Sequence, residues 1–258
     1  MKDFPMNRPG YGMFDLPIPS DTLENAVAYE DLSGTGPEAR AFVWEAARAE
    51  RESPYRAYRG VFKRILDTAL VLLSLPIALP MIGLCALALY LEGGAPFYTQ
   101  ARLGRRGRQF SILKLRTMVR NADEVLENTL QADPALRREW DHMQKLRDDP
   151  RVTRVGRILR ATSMDELPQL FNVLRGDMSI VGPRPMMPEQ LPMYGDPVAY
   201  FALRPGITGL WQVSARNNDS GFAYRNDVDS VYNSKLGFWT DLKVLWRTVG
   251  VVLRRTGC

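Results

Sequence analysis

The sequence predicts a mainly helical α+β fold, small and monotopic on a membrane, with a proline-broken re-entrant helix, interfacial amphipathic helices and a few short strands. Three observations predict it. Thr68 to Leu91 is a run of 24 residues without a charge, about 36 Å as a helix and long enough for a bilayer core. Basic clusters flank that run on both sides. The rest alternates helix-period segments with brief apolar strands closed by Gly and Pro.

Pro76 and Pro80 fall inside the apolar run, where each removes a backbone hydrogen bond and crowds the preceding turn. Arg56, Arg59, Lys63 and Arg64 precede it, and Arg102, Arg105, Arg106 and Arg108 follow it. Basic flanks prefer the cytoplasmic side. A helix 63–91 broken at Pro80, entering and leaving on one face, satisfies both flanks.

The first 55 residues, rich in Pro, Gly and acids, read as a mobile extension ahead of a domain over 56–258. A helix is expected between Pro37 and Arg51, and no apolar core follows Lys2 as in a secretory signal. Residues 1–60 carry 7 basic and 10 acidic side chains, and the remainder 27 and 19. The part holding the apolar run is therefore basic, which points to anionic lipid and phosphorylated partners.

Cysteine and histidine chemistry is nearly excluded. Of the two cysteines, Cys85 lies in the apolar run and Cys258 ends the chain without a prenylation box. The single histidine, His142, sits in a charged stretch that reads as a solvated helix face. No Gly-x-Gly-x-x-Gly or Walker loop is present, so a nucleotide must be held in another way.

Phe110 to Arg116 reads as a strand delivering Lys114 and Arg116 to one place. Residues 121–147 read as a solvated helical excursion, and Val152 to Arg160 as a basic helix. In Ser163-Met164-Asp165-Glu166 two readings stay open. Ser163 and Glu166 spell a capping box, and Asp165 beside Glu166 among arginines spells a nucleophile next to a metal ligand. Pro168 suits a first helical position, and Gly176 a stop. Gly182-Pro183-Arg184-Pro185 closes a short strand with an arginine held for a phosphate or a planar ring, and Arg204-Pro205-Gly206 repeats the theme. Phe238 to Leu253 carries Leu242, Trp246, Val249 and Leu253 at helical spacing, which suits an interfacial helix or core packing.

Six segments in order, from Lys63-Arg64-x-x-Asp67 through Lys114-Leu115-Arg116, Asp149-Pro150-Arg151, Asp165-Glu166-Leu167-Pro168 and Gly182-Pro183-Arg184-Pro185 to Arg204-Pro205-Gly206, resemble the bacterial sugar transferase family. These are monotopic phosphoglycosyl transferases, and the resemblance covers about residues 60–258. It implies transfer of a hexose 1-phosphate from a UDP-sugar, UDP-galactose or UDP-glucose favoured, to undecaprenyl phosphate with release of UMP. It implies Asp165 as nucleophile, Glu166 as the magnesium ligand, and Arg160 and Arg184 in the phosphate and nucleotide site; Lys114, Arg116 and Arg204 join them as substrate-binding candidates. The cytoplasmic face of a bacterial inner membrane is expected, with membrane lipid as a further partner and no nucleic acid, while the sequence leaves open whether the chain forms a homo-oligomer. Leu79 departs from the family, where serine often precedes the breaking proline; Ser74 or a water would have to stabilise the break. A nucleic-acid binder would need an aromatic-basic platform that is not evident, and a scaffold would not need both carboxylates.

Overall fold

The computed structural model describes residues 37–143, 146–214 and 222–253. Helix α1 (Pro37–Glu52) starts on a proline, whose fixed φ suits the first helical position. It buries Val43 and Ala46, one turn apart, against Leu103, Met186, Tyr200 and Phe201. The helix expected here forms, and it is packed onto the body. The line drawn at residue 55 on composition therefore does not follow the edge of the fold, because two small apolar positions are enough to dock an otherwise charged helix.

A π-helical turn (Tyr58–Phe62) leads into α2 (Lys63–Gly93). The sequence expects a break at Pro80, yet α2 stays helical through Pro76 and Pro80. Each proline deletes one N–H, and the adjoining turns carry the helix past it. Ser74 donates to the Val71 carbonyl at 2.8 Å, so it does not serve the carbonyl of Pro76 that Pro80 leaves without its helical donor. One stripe of α2, comprising Asp67, Val71, Ala78, Ile82, Cys85 and Leu89, is buried. The opposite side is apolar and open, with Leu73, Ile77 and Leu91 each about three-quarters exposed.

That stripe touches one body at both ends. Val71 packs with Ile112, Val173 and Met178, while Cys85 and Leu89 pack with Leu115 and Leu159. The motif Lys63-Arg64-x-x-Asp67 fixes the helix start. Lys63 pairs with the buried Asp241, which also accepts from Tyr58 at 2.8 Å and Tyr232 at 2.6 Å. Arg64 donates to the carbonyls of Val173 and Leu174. Asp67 accepts from the Ser179 hydroxyl at 2.7 Å and the Ile180 N–H at 3.1 Å.

Strands β1 (Phe97–Leu103) and β2 (Gln109–Leu115) form an antiparallel hairpin, with Phe97 opposite Leu115 and Leu103 opposite Gln109. The charged excursion splits into α3 (Ala122–Ala132) and α4 (Pro134–Met143), because Asp133 accepts from the N–H of Ala135 at 2.7 Å and starts a new helix. The side chain of His142 lies outside the described residues, as do Arg254, Arg255 and Cys258. Helix α5 (Arg154–Thr162) is capped by Thr153, whose hydroxyl accepts from the Gly156 N–H at 2.9 Å. Helix α6 (Gln169–Arg175) starts just after Pro168 and stops at Gly176, with φ of 95°.

Strand β3 (Ser179–Val181) pairs in parallel with β4 (Gly206–Thr208) across a connection holding α7 (Leu191–Tyr194) and α8 (Val198–Phe201). After β4 come α9 (Leu210–Ser214), α10 (Phe222–Ser234) and α11 (Phe238–Leu253). In α11 the stripe resolves toward solvent. Trp239 is 77% and Trp246 80% exposed, with Leu242 and Val249 beside them, while Asp241 and Val244 face inward. Among the described residues, nothing covers the apolar faces of α2 and α11.

Candidate active site

Helix α5 ends at Ser163, which has φ of 56° although it is not glycine. That left-handed residue reverses the chain into a short 3₁₀ turn, Met164–Glu166, which carries both carboxylates. Such a conformation costs of order 1–3 kcal/mol and tends to persist where function requires it. Ser163 makes no side-chain cap bond to the turn that follows it. The capping-box reading is therefore corrected: the left-handed turn takes Ser163 out of cap geometry, and Glu166 turns to Lys114.

Two contacts position the turn. Asn172, buried in α6, donates to the Ser111 carbonyl at 2.8 Å and accepts from the Leu113 N–H at 3.0 Å. It acts as a strand neighbour for β2 and sets where Lys114 emerges. Lys114 Nζ then meets Glu166 Oε1 at 2.9 Å. On the other side, a Cβ at Gly156 would collide with the Thr117 carbonyl, so α5 lies against the segment after β2 only because residue 156 has none. That approach lets Arg160 Nε donate to Thr117 Oγ1 at 2.8 Å.

Asp165 is only 8% exposed, and among the described residues no side chain donates to it. Burial raises its carboxyl above the ordinary carboxylate range, with the charge of Lys114 and then Arg160 opposing and that of Glu166 adding. Met164, the residue before it, brings its sulfur to 4.0 Å from the Cys85 thiol. The carboxylate turn therefore leans directly on α2.

From Arg160, beside this turn, a group of guanidiniums extends through Arg184. Arg184 lies close enough to Arg102, Arg160 and Arg225 to act electrostatically on each. Burial first, then Arg184, pull Arg102 and Arg225 each down to about 10. Trp211 offers its ring to Arg225 at 4.4 Å and to Arg184 at 5.9 Å. Four like charges gathered in one place repel, so this arrangement is suited to a polyanion.

The structure unites Asp165, Glu166, Lys114, Arg160 and Arg184. It places two expected residues elsewhere. Arg116 lies one position past the end of β2 and donates to the Gly93 carbonyl at 2.6 Å, closing the end of α2. Arg204 donates to the Gly176 carbonyl at 3.0 Å and shares its surroundings with Arg64, Arg105 and Glu50. Both brace backbone carbonyls. Sequence reasoning missed Arg102 and Arg225 as site residues, together with Trp211 and Asn172. The only signal for Arg102 was its basic cluster, and the other three carry no local motif.

The bacterial sugar transferase family model matches residues 58–255, and the chain belongs to that family. It is similar to the UDP-galactose-lipid carrier transferase of Erwinia amylovora, with 48% identity over 196 residues, 76% of this chain and 41% of that protein. The undecaprenyl-phosphate galactose phosphotransferase of Salmonella typhimurium is 46% identical over 76% of this chain and 41% of its own length. The exopolysaccharide production protein ExoY of Sinorhizobium fredii is 44% identical over 78% of this chain and 90% of its own length. The chain thus spans about two fifths of the first two relatives.

Proposed function

We propose that this chain transfers a hexose 1-phosphate from a UDP-sugar to undecaprenyl phosphate and releases UMP, as the first step of exopolysaccharide, capsule or O-antigen assembly. The observation that carries the reading is a buried Asp165 to which no side chain donates among the described residues, with Arg160 and Lys114 close by, beside an apolar helix with exposed Leu73, Ile77 and Leu91. UDP-galactose and UDP-glucose are the favoured donors, following the names of the galactose-transferring relatives and of a UDP-glucose:undecaprenyl-phosphate glucose-1-phosphate transferase 41% identical to this chain.

In this reading a carboxylate oxygen of Asp165 attacks the phosphorus that bears the sugar. An O–P bond forms as the bond to the UMP oxygen breaks, leaving an aspartyl-phosphosugar. A phosphate oxygen of undecaprenyl phosphate then attacks the same phosphorus, and Asp165 departs as a carboxylate. Arg160 and Arg184 offset the repulsion between a carboxylate and an anionic diphosphate, and Lys114 holds Glu166 beside the nucleophile. Among the described residues no group of three or more metal-ligating side chains occurs. Two adjacent carboxylates with substrate phosphate oxygens nonetheless fit magnesium, which favours one or two carboxylates at phosphoryl sites. Glu166 would hold it, and the ion would supply charge neutralisation.

The membrane reading rests on α2 lying along the body. A helix pressed at both ends onto one body cannot cross a bilayer alone, so α2 and α11 share one leaflet, on the cytoplasmic face. Single cysteines at Glu52 and Arg108 should both label only from the cytoplasm; periplasmic labelling of either would overturn this topology. The activity is tested by assaying UMP release from a panel of UDP-sugars with undecaprenyl phosphate in detergent, and no release from any donor would refute it.

A further inference from the structure

Where the π-helical turn meets α1 and the β1–β2 hairpin lies a cavity of about 250 Å³ lined by Glu50, Arg51, Arg56, Arg59, Gly60, Arg105 and Arg106, none of them from the carboxylate turn. Its wall holds five arginines against a single acid. The volume falls below the range of roughly 300–1,000 Å³ usual for sites that take drug-sized ligands. It suits a phosphate group rather than a nucleotide.

Three of the five arginines are held in place before any ligand arrives. Arg59 is 6% exposed, its guanidinium pinned by the Ala202 carbonyl at 3.0 Å and Asn233 Oδ1 at 2.7 Å, and its buried Nε has no partner. Arg106 Nε is likewise buried and unpartnered, while its terminal nitrogen reaches Glu50 at 3.3 Å. Arg106 adopts φ of 59° in the hairpin turn, a conformation that glycine or asparagine takes more easily. Arg105 grips Glu50 with two nitrogens. Glu50 itself is 5% exposed and is the resident anion of the cavity. Arg51 and Arg56 are exposed and have no ion-pair partner among the described residues.

The residues that follow Gly60 in the chain suggest the ligand's other half. Val61 and Phe62 follow Gly60 directly and are 60% and 63% exposed, and Ile65, one turn on, is 60% exposed. A ligand whose phosphate enters the cavity while its apolar part lies over these side chains matches both surfaces. We propose that this cavity binds the phosphate of an anionic phospholipid headgroup, at a site separate from the carboxylate turn.

The probe is short-chain dihexanoyl phosphatidylglycerol, titrated into the full chain in neutral detergent and followed by intrinsic fluorescence. Arg51→Gln with Arg56→Gln removes two exposed charges that brace nothing, and is expected to weaken binding about tenfold. Arg138→Gln with Arg175→Gln removes equal charge from α4 and α6 and should leave binding within twofold. Glu50→Gln should tighten binding severalfold, since the resident anion no longer competes. Inorganic phosphate should bind at least tenfold more weakly than the lipid, because nothing then covers Val61 and Phe62. Equal affinity in the wild type and the Arg51/Arg56 variant, or equal loss in the control, would overturn the site. Inorganic phosphate binding as tightly as the lipid would overturn the lipid assignment. UMP release with a soluble donor reads the carboxylate turn separately, so failure there leaves these outcomes unaffected.

Discussion

The two ends of α2 both bury charges, and they treat them in opposite ways. At the start, the carboxylates are saturated: Asp241 accepts from a lysine and two tyrosines, and Asp67 from a hydroxyl and an N–H. At the far end, Asp165 is buried to a similar degree with no side-chain donor among the described residues, and Lys114 and Arg160 lie close to it. A buried charge with complete hydrogen bonding holds a fold in one arrangement. A buried charge left incomplete marks a place where something else is meant to bind.

The largest effect expected from breaking this contrast is at Asp165. Asp165→Asn keeps the size and much of the polarity of the side chain and removes its nucleophilic charge. UMP release should fall roughly 10³-fold or more, with thermal stability unchanged or raised, since the variant buries no charge. Radiolabel from the sugar phosphate should no longer remain on denatured protein. Retained UMP release would place Asp165 among the structural carboxylates.

Lys63→Met tests the saturated end. It strands Asp241 with only its tyrosine donors, and breaking a buried pair on one side costs about 3–5 kcal/mol. The midpoint of thermal unfolding should drop markedly, while UMP release per folded molecule stays near wild type. A selective loss of turnover without loss of stability would show that the clamp and the site are one unit.

How far the sequence anticipated this contrast depended on range. Elements whose signals are local were legible: α6 begins after Pro168 and ends at Gly176, and α11 runs from Phe238 to Leu253 as its periodicity indicates. Of the candidate site, the sequence shows only what adjoins, as in the carboxylate pair Asp165 and Glu166. Between the two readings of Ser163-Met164-Asp165-Glu166 the sequence could not choose, because a capping box is a pattern of residue types, and the left-handed φ that defeats it leaves no trace in those types. Arg116 was grouped with Lys114 by alternation, but the strand ends at Leu115 and the chain turns toward Gly93. Arg225 and Trp211 reach the arginine cluster only through the packing of α9 and α10, which no local spacing encodes.

Arg184 sharpens the contrast by a smaller step. Pro183 and Pro185 fix the backbone on both sides, so the planar guanidinium reaches its place with little entropy left to lose. Arg184→Lys keeps the charge and loses the fork. Inhibition by UMP should weaken by about one to two decades, equivalent to about 1.5–3 kcal/mol, with the affinity for undecaprenyl phosphate nearly unchanged. Equal inhibition constants would make Arg184 a turn residue.

The smallest expected effect concerns Asp229, which belongs to neither class as it stands. It accepts from the Tyr194 hydroxyl and lies near Arg225, yet burial dominates and lifts its carboxyl from 3.8 to about 7. The folded chain therefore holds a proton there that the unfolded chain releases. Between about pH 4 and 7 the native state binds more protons than the unfolded one, so stability should fall as pH rises through that window and level off above it. Asp229→Asn keeps an oxygen for Tyr194 and removes the ionisation, and its stability should lose this part of the slope. The measurement is urea unfolding at several pH values across the window, wild type against variant. Parallel pH profiles would mean that Arg225 keeps Asp229 ionised throughout, which would place it with the saturated carboxylates of the clamp and leave the arginine cluster one positive charge less in excess.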